Sequence, residues 1–494
     1  MQAIVQNGYG SADVLRLEQV TRPAIADNEV LLRVHAGGAG MTLLRRPPSG
    51  LQQSEGPASR VVAVREPNNI TRRRLQAVRH TGVRLAVGAT VMLALVLLLA
   101  RVAFVMVPGD DAGAEASIPL GTAYSTPGHH PVGTRTVSVP GDRRIDVRLW
   151  YPASVDSDQR RGVTDAFALR AGGVLGPITI ATSRGDAVRN AAFDLSEGPY
   201  PVVVLSPGFA LSSSTYGWLA EHLASHGFVV LSPDHDEVLD PEALWRSTVT
   251  RPREISTVLD YASKQARPGG AWAGLLDLRR AAALGHSYGG YAAQASAGAR
   301  LDTAGFTREC QDLQPSDPRT FLCGALLPHL AEMATAAGLD EVPTGEWPDW
   351  SDARVKAAVS LAGDAAPFAR KGLAALDVPV LAIGGTGDRD TPYAAGARAT
   401  FDRAASARKV EVGLRDAEHF VFAGRCESVR LVARLVPNGF CSDPGWLRAR
   451  AHDVVEHYVT AFLLAELRND AAAAAELSRT EAPVIGVRVQ THGY

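Results

Sequence analysis

The chain has 494 residues, of which 46% are hydrophobic and 21% are charged, so it is long enough to bury a sizeable core. Its 50 basic and 52 acidic residues nearly cancel, which excludes a protein that binds polyanions through a strong overall positive charge. No nucleic-acid partner is therefore expected. The length allows about three domains at roughly 150 residues each, although one large α/β domain could take most of it.

Residues 1–38 alternate apolar and polar side chains, which is typical of short strands, with turns at Asn7-Gly8 and Asp27-Asn28. The segment resembles the N-terminal beginning of the medium-chain dehydrogenase/reductase family. The resemblance stops after His35-Ala36-Gly37-Gly38, because neither a metal-binding cysteine nor a GxGxxG motif after a strand follows. We therefore interpret residues 1–38 as a truncated dehydrogenase-like fragment, and an NADPH-dependent oxidoreductase is disfavoured.

Residues 39–82 are rich in Arg, Pro, Ser and Gln and are predicted to form a basic disordered linker. Residues 83–107 follow as a long apolar run, and 25 helical residues at about 1.5 Å each would cross a hydrocarbon core of about 30 Å. The basic flank predicts a single-pass anchor with a cytoplasmic N-terminus and an extracytoplasmic remainder. The alternative is a cleaved signal segment, which would release a secreted protein after a small-residue site at Ala112, Ala114 and Ala116.

All four cysteines follow the predicted membrane segment and the spacer at residues 108–131. In an oxidising compartment their spacing indicates two disulfides, Cys310–Cys323 and Cys426–Cys441. No cysteine or histidine spacing resembles a zinc site. His222 and His226 lie four residues apart on one predicted helix face, but no third ligand is evident, so no metal is expected.

From residue 132 onward, predicted strands alternate with predicted helices. The strands are expected at residues 134–139, 144–151, 201–205, 228–231, 281–285, 355–361, 378–383 and 409–412. The helices are expected at residues 214–225, 254–264, 290–297, 393–405 and 449–467. This alternation predicts an α/β domain at residues 132–468, with a mostly parallel sheet covered on both faces and a C-terminal tail at residues 469–494. Residues 300–352 interrupt the alternation and are either a lid or a surface excursion.

One short motif indicates the catalytic chemistry. Gly285-His286-Ser287-Tyr288-Gly289 matches GxSxG, a weak signal by itself in a chain with 47 glycines. An apolar strand precedes it and a helix of small residues follows, which is the strand–turn–helix context of a nucleophile elbow. An ordinary turn between strand and helix is the alternative. We predict that Ser287 is a nucleophile.

A serine nucleophile needs a histidine base, and that histidine needs a carboxylate partner. In this kind of fold the chain order is serine, acid, histidine. Asp388 follows the strand at residues 378–383 and is the preferred acid, with Asp364 and Asp390 as alternatives. His419 is the preferred base, because it alone of the 13 histidines lies in the loop after the last predicted strand.

The oxyanion hole is expected to use two backbone N–H groups. One belongs to Tyr288, directly after the nucleophile, and the other to Phe209 in the turn Pro207-Gly208-Phe209. A functionless Pro-Gly turn is the alternative for the second. His235 is a further candidate to line the site, and His286 is expected to support the elbow.

Residues 132–467 resemble the branch of α/β-hydrolases that contains platelet-activating-factor acetylhydrolases, dienelactone hydrolases and cutinase-like polyester hydrolases. The matching segments are Val147-Arg148-Leu149-Trp150-Tyr151-Pro152, Leu205-Ser206-Pro207-Gly208-Phe209, Gly227-Phe228-Val229-Val230, residues 285–290 and Glu418-His419-Phe420. The cutinase-like members imply Asp388 as the acid, whereas the acetylhydrolases imply Asp364. Dienelactone hydrolases use a cysteine nucleophile, which this chain replaces with serine.

The resemblance implies hydrolysis of a small-molecule or lipid carboxylic ester, without a metal or an organic cofactor. The sequence thus predicts a serine esterase or acetylhydrolase acting through Ser287. Two alternatives stay open: a catalytically inactive, membrane-tethered binding module of the same fold, and a serine peptidase.

Overall fold

The structure is a computed structural model of the whole chain. It describes residues 106–109, 122–141, 143–156, 162–170, 177–431, 440–479 and 484–494, together with four short strands between residues 2 and 65. The chain divides into two units, Met1–Leu97 and Leu98–Tyr494. Each unit is described by itself.

The first unit contains two antiparallel pairs of strands. Strand β1 (Gln2–Gln6) pairs with β2 (Leu15–Gln19), and β3 (Glu29–Val34) pairs with β4 (Arg60–Arg65). The prediction of short strands in residues 1–38 is therefore confirmed. The prediction of a basic disordered linker at residues 39–82 is wrong at β4, where the valine-rich run Val-Val-Ala-Val favours an extended backbone. The resemblance to dehydrogenases stays a prediction.

The predicted membrane segment at residues 83–107 lies mostly outside the described residues. Its last two residues belong instead to strand β5 (Met106–Pro108), where Met106 pairs with Arg430 and Val107 with Val429. The predicted end of the segment is thus wrong by at least these two residues. Among the described residues, no helix combines the length and the apolar character that a membrane crossing requires.

The second unit is built on one large sheet that includes the predicted strands. Its strands run in the order β10, β6, β7, β13, β12, β14, β15, β16, β17 and β19, with β11 pairing beside β7. Their bounds are β6 Val132–Val139, β7 Ile145–Ser154, β10 Val188–Arg189, β11 Ala192–Phe193, β12 Tyr200–Ser206, β13 Val229–Asp234, β14 Leu276–His286, β15 Val355–Leu361, β16 Val380–Gly385, β17 Lys409–Leu414 and β19 Val487–His492.

The central strands from β13 to β17 are parallel to one another, whereas β7 runs antiparallel to both β6 and β13. Strands of a parallel sheet end at the same edge, so the loops after β14, β16 and β17 meet there. This order and direction are those of the α/β-hydrolase fold, as predicted. The predicted tail at residues 469–494 contributes to the sheet, because β19 pairs antiparallel with β17. The predicted domain boundary at residue 468 is therefore too early.

Helices cover both faces of the sheet. They are α1 Gly217–Ser225, α2 Leu244–Gln265, α3 Tyr288–Ser296, α4 Thr303–Gln311, α5 Thr320–Leu326, α6 Leu330–Ala337, α7 Ala369–Ala374, α8 Ala397–Arg403, α9 Arg448–Arg468 and α10 Ala471–Leu477. Successive side chains of a strand point to opposite faces. Val203 and Leu205 of β12 accordingly join one core with α1 and α9, whereas Val202 and Val204 join the other with α2 and α3.

A smaller antiparallel sheet accompanies the large one. It contains β8 (Val163–Arg170), β9 (Pro177–Gly185) and β18 (Ser428–Arg430), together with β5. Residues 300–352 form the helices α4 to α6. Both predicted disulfides are present, Cys310–Cys323 between α4 and α5, and Cys426–Cys441.

Candidate active site

Ser287 lies on a sharp turn between strand β14, which ends at His286, and helix α3, which begins at Tyr288. Its backbone has φ 56° and ψ −124°, a left-handed conformation that non-glycine residues rarely adopt. The flanking glycines are required by close backbone approach. A Cβ atom at Gly285 would lie 2.0 Å from the carbonyl oxygen of Gly289, and one at Gly289 would lie 1.9 Å from that of Ser206. The turn therefore has the geometry of a nucleophile elbow.

The structure brings Ser287 and His419 together. His419 follows β17 and begins a short 3₁₀ turn, and its Nε2 lies 2.9 Å from Ser287 Oγ. Its Nδ1 lies 2.8 Å from Asp388 Oδ2, and Asp388 follows β16. A ring that donates through Nδ1 to a carboxylate presents an unprotonated Nε2 to the serine hydroxyl. The three side chains thus form the hydrogen-bonded chain that a serine nucleophile needs.

The carboxylate of Asp388 is itself held in place. Its Oδ1 accepts hydrogen bonds from the backbone N–H groups of Asp390 and Thr391, both at 2.9 Å. The hydroxyl of Thr391 lies 2.9 Å from Asp388 Oδ2 and 3.1 Å from His419 Nδ1. These contacts fix the carboxylate orientation and hence the orientation of the imidazole.

The two alternative acids occupy different positions. Asp390 is exposed, and its backbone N–H donates a hydrogen bond to the Asp388 carboxylate. Asp364 lines the same cavity as Ser287, and its backbone N–H donates to the Ser287 carbonyl oxygen at 3.3 Å. Burial, together with the nearby Asp388 and Asp390 carboxylates, raises the pKa of Asp364 to about 7. The hydrogen bonds of the His419 ring favour Asp388 over Asp364.

His419 is buried, and burial by itself lowers the pKa of its imidazole. The negative charge of Asp388 and its hydrogen bond act in the opposite direction, and the resulting pKa is raised to about 8. An imidazole with a pKa near neutrality can both accept and return a proton at physiological pH.

Phe209 and Tyr288, which carry the two predicted oxyanion donors, both line the Ser287 cavity. Tyr288 is the first residue of α3, so its backbone N–H has no acceptor within the helix. The Phe209 ring contacts the Tyr288 ring edge-on, with the centroids 6.5 Å apart. The oxyanion hole formed by these two residues stays a prediction.

The loop that carries Phe209 is clamped from behind by a buried ion pair. The Arg251 guanidinium donates to the carbonyl oxygens of Pro207 at 2.5 Å and of Gly208 at 3.2 Å. Its partner Glu237 accepts from Arg251 at 2.5 and 2.7 Å and from the Ala210 N–H at 3.3 Å. Arg251 is fully buried. Sequence reasoning missed this pair, because nothing local connects a mid-helix arginine with a loop some 40 residues earlier.

His286 supports the elbow, as predicted, through a defined set of hydrogen bonds. Its Nε2 lies 3.2 Å from the backbone carbonyl oxygen of His419, so Nε2 must carry the proton. Its Nδ1 then accepts from the Tyr216 hydroxyl at 2.7 Å, and the Tyr216 oxygen accepts from the Gly208 N–H at 3.1 Å. Burial, reinforced by the charge on His419, holds the pKa of His286 well below its usual range. A neutral imidazole therefore links the oxyanion loop to the catalytic-histidine loop.

The other predicted histidines have structural partners. His235 is buried behind the loop rather than lining the cavity, and it contacts Ser206 Oγ at 2.8 Å and Glu254 at 2.5 Å. The suggestion that it lines the site is therefore wrong. His222 and His226 contact the carbonyl oxygens of Tyr124 and Thr126, both at 3.0 Å.

The cavity at Ser287 has a volume of about 270 Å³. Its walls are mainly apolar, and residues 300–352 contribute part of them: Pro318, Arg319, Phe321 and Leu322. Leu239 and Phe321 line the cavity and are more than half exposed, so its mouth is apolar as well. A larger cleft of about 830 Å³ is lined by carboxylates such as Glu221 and the buried Glu456 and contains none of the predicted catalytic residues.

Parts of this chain are similar in sequence to known proteins. A model of the PET hydrolase-like family (PETase) matches residues 193–305, which is less than half of the chain. Cutinase cut1 of Thermobifida fusca is 31% identical over 152 residues, which are 29% of this chain and 44% of that protein. Cutinase est2 of Thermobifida alba is 37% identical over 92 residues, 18% of this chain and 28% of that protein.

A bis(hydroxyethyl) terephthalate hydrolase of Streptomyces coelicolor is 35% identical over 96 residues, 19% of this chain and 27% of that protein. The chain thus spans less than half the length of these curated relatives. A solved ferulic acid esterase from Streptomyces cinnamoneus is 21% identical, with a TM-score of 0.46, over 74% of this chain and 98% of that one. The family match and the sequence similarities agree with the α/β-hydrolase fold that the sheet order establishes.

Proposed function

We propose that this chain hydrolyses carboxylic esters through an acyl-enzyme formed on Ser287. One observation carries the proposal: the hydrogen-bonded chain from Ser287 Oγ through the His419 ring to Asp388, at 2.9 and 2.8 Å. The similarity to two cutinases and to a terephthalate-ester hydrolase supports an ester as the substrate.

The reaction follows from the protonation states of these groups. His419 Nε2 takes the hydroxyl proton while Ser287 Oγ attacks the ester carbonyl, and Asp388 stabilises the imidazolium that forms. Collapse of the tetrahedral intermediate transfers that proton to the alcohol, which leaves. Water then attacks the acyl-enzyme with the same base, and the carboxylic acid is released as Ser287 regains its proton.

Charge that develops on the carbonyl oxygen would be stabilised by the backbone N–H groups of Phe209 and Tyr288. The ion pair of Arg251 and Glu237 keeps the first donor in place, since it bonds the loop on both sides of Phe209. These donors need no reorganisation during the reaction, which is the main advantage of a fixed oxyanion hole.

The substrate class follows from the cavity. Its mainly apolar lining and a volume of about 270 Å³ suit an ester with a short acyl or aromatic group. The exposed Leu239 and Phe321 at the mouth suit an alcohol or polymer portion that is itself apolar, a lipid ester included. Residues 300–352 form a wall of this cavity, and the proposal that they act as a lid rests on Phe321 and Leu322.

Labelling with a fluorophosphonate probe tests the nucleophile. The wild-type chain should label and hydrolyse p-nitrophenyl acetate, whereas Ser287→Ala should do neither. Ser478→Ala, which removes an exposed hydroxyl at the end of α10, is the control and should behave like the wild type. Labelling that survives in Ser287→Ala would contradict the assignment.

The same experiment separates the alternatives. An inactive binding module would ignore the probe in the wild-type chain too. A serine peptidase would label and would cleave a matched anilide as well as the ester, whereas an esterase would leave the anilide intact.

The location of the enzyme is a further part of the proposal. We propose that the second unit lies outside the cytoplasm, either anchored through the apolar segment that begins at residue 83 or secreted after cleavage. The two disulfides support this, because such bonds persist in oxidising compartments. Carbonate extraction of membranes would distinguish the two forms. Recovery of the reduced protein from the cytosol would exclude both.

A further inference from the structure

A second histidine-containing cluster lies away from Ser287. His129 and His130 stand just before strand β6, and Glu197 stands in the loop that leads into β12. One donor atom from each of the three side chains lies within 4.8 Å of the others. No contact of the proposed hydrolytic mechanism involves any of the three.

The ring nitrogens of the two histidines lie close to the carboxylate oxygens of Glu197. His129 Nε2 lies 3.3 Å from Glu197 Oε1, and His130 Nε2 lies 3.6 Å from Glu197 Oε2. The two imidazole rings are 4.0 Å apart between centroids. Both ring nitrogens thus point toward one carboxylate from the same side.

The burial of His130 is a second reason to expect a bound ligand at this cluster. Its side chain is 2% exposed, yet Nε2 has no hydrogen-bond partner within the described part of the chain. An unpaired buried nitrogen costs free energy, so a native site commonly supplies a partner.

The other ring nitrogen of His130 faces a carboxylate. Asp194 Oδ2 lies 3.9 Å from His130 Nδ1, while Asp194 Oδ1 is held by the backbone and hydroxyl of Ser196 at 2.9 and 2.6 Å. A carboxylate behind a histidine is the usual companion of a metal-binding imidazole, and Asp194 would have to move closer to Nδ1 to form that hydrogen bond.

We propose that His129, His130 and Glu197 bind a zinc ion through the two Nε2 atoms and the carboxylate, with water as the fourth ligand. Two histidines and one glutamate are a ligand set that zinc accepts in tetrahedral geometry. The separations in the structure are close enough for small side-chain rotations to bring all three ligands to about 2.0 Å from one ion. Glu197 and His129 are exposed, which leaves them free to make this adjustment.

One neighbouring charge opposes the ion. The Arg468 guanidinium donates to the Gly227 carbonyl at 2.5 Å, and a Cβ atom at Gly227 would lie near both Arg468 and His130 Nε2. The carboxylates of Glu197 and Asp194 together carry two negative charges against this single positive charge. The local balance therefore still favours a cation.

The position of the cluster separates a bound ion from the hydrolytic site. Strands β6 and β12 both begin beside it, and because β6 is parallel to the central strands, both beginnings lie at the edge opposite Ser287. The length of β12, seven residues, alone separates the edges by roughly 20 Å. Zinc at this point would link the segment that precedes β6 to the loop that precedes β12, a central strand of the sheet.

Metal binding and thermal unfolding of the full chain test the proposal. Zinc chloride added to metal-free protein should bind one equivalent in calorimetry and raise Tm, and the rise should persist in Ser287→Ala. His129→Ala and Glu197→Gln should each weaken binding about 100-fold and abolish the rise in Tm. Asp194→Asn should weaken binding roughly 10- to 100-fold, as other supporting residues do.

His329→Ala is the matched control. His329 and Glu332 form a comparable exposed pair, 3.6 Å apart, that lacks a second histidine. This variant should bind zinc like the wild type. X-ray absorption should find two imidazole nitrogens at about 2.0 Å in the wild-type chain. Equal zinc binding by wild type and His129→Ala, or no rise in Tm, would overturn the proposal whatever the esterase activity.

Discussion

Two buried histidines, at opposite edges of one sheet, differ in how their ring nitrogens are partnered. His419 has Asp388 on one nitrogen and Ser287 on the other, at 2.8 and 2.9 Å. His130 has Asp194 3.9 Å from Nδ1 and no hydrogen bond at Nε2 among the described residues. The first arrangement fixes a tautomer and raises the pKa, as proton transfer requires. The second leaves the buried Nε2 available to a further partner such as a metal ion.

The largest effect should come from removing the partner that distinguishes His419. In Asp388→Asn the side chain keeps its shape, but it no longer stabilises the imidazolium and favours the wrong tautomer. We expect kcat to fall about 10⁴-fold with little change in Tm. Steady-state hydrolysis of p-nitrophenyl acetate measures this. Retention of more than a tenth of the activity would reassign the acid, with Asp364→Asn as the variant to compare.

A smaller loss should follow from loosening the oxyanion loop. Arg251→Met removes the hydrogen bonds to the carbonyls of Pro207 and Gly208 and leaves Glu237 buried without its partner. Misplacing one oxyanion donor should lower kcat about 10²-fold. The lost ion pair should also cost about 3–5 kcal/mol of unfolding free energy.

Arg354→Met is the control for Arg251→Met. It breaks an ion pair with Asp352, which does not line the Ser287 cavity, and it should leave kcat unchanged. Equal kcat values in the two variants would show that Arg251 acts on stability alone.

The pH dependence should report the raised pKa of His419. The neutral ring is the base, and it predominates above its pKa. We therefore expect kcat/KM to rise with pH, to reach half of its maximum near pH 8 and to level off at higher pH. Lowering the pH should therefore inactivate the free enzyme without unfolding it. In Asp388→Asn the residual activity should have its midpoint at lower pH, because the largest influence that raises the pKa is gone. A midpoint that does not move would contradict this account.

The smallest effect should come from Asp364→Asn. Asp364 lines the cavity but does not hydrogen-bond the His419 ring. Its negative charge raises the pKa of His419 together with the larger contribution of Asp388. We expect kcat/KM to change no more than about 10-fold, with a small downward shift of the pH midpoint. Tracking the pH profile of this variant beside that of Asp388→Asn sharpens the distinction between a bonded carboxylate and a neighbouring one.

Features that depend on local sequence could be predicted. The apolar run before Ser287, the glycines on either side and the loops after successive strands were sufficient to predict that Ser287, His419 and a candidate acid lie at one edge, because parallel strands bring such loops together. The cysteine spacings likewise predicted Cys310–Cys323 and Cys426–Cys441. The choice between Asp388 and Asp364 needed the structure, since both follow parallel strands.

Features that depend on distant partners could not be predicted. Arg251 lies in the middle of α2, where a charged residue normally faces solvent, and only the folded chain places it against residues 207–208. Strand β19 lies far beyond the last predicted helix and pairs with β17 only in the tertiary structure. The β8–β9 hairpin also escaped prediction, because its polar residues hide the strand alternation.

The last strand has a practical meaning for anyone who handles this protein. Residues 487–492 occupy the outer side of β17, from Lys409 paired with His492 to Leu414 paired with Val487. A protein trimmed before Val487 would expose a row of unpaired N–H and C=O groups on β17, which is a template for pairing with another chain. C-terminal truncation should therefore cause self-association before it affects catalysis, and affinity tags are better attached elsewhere.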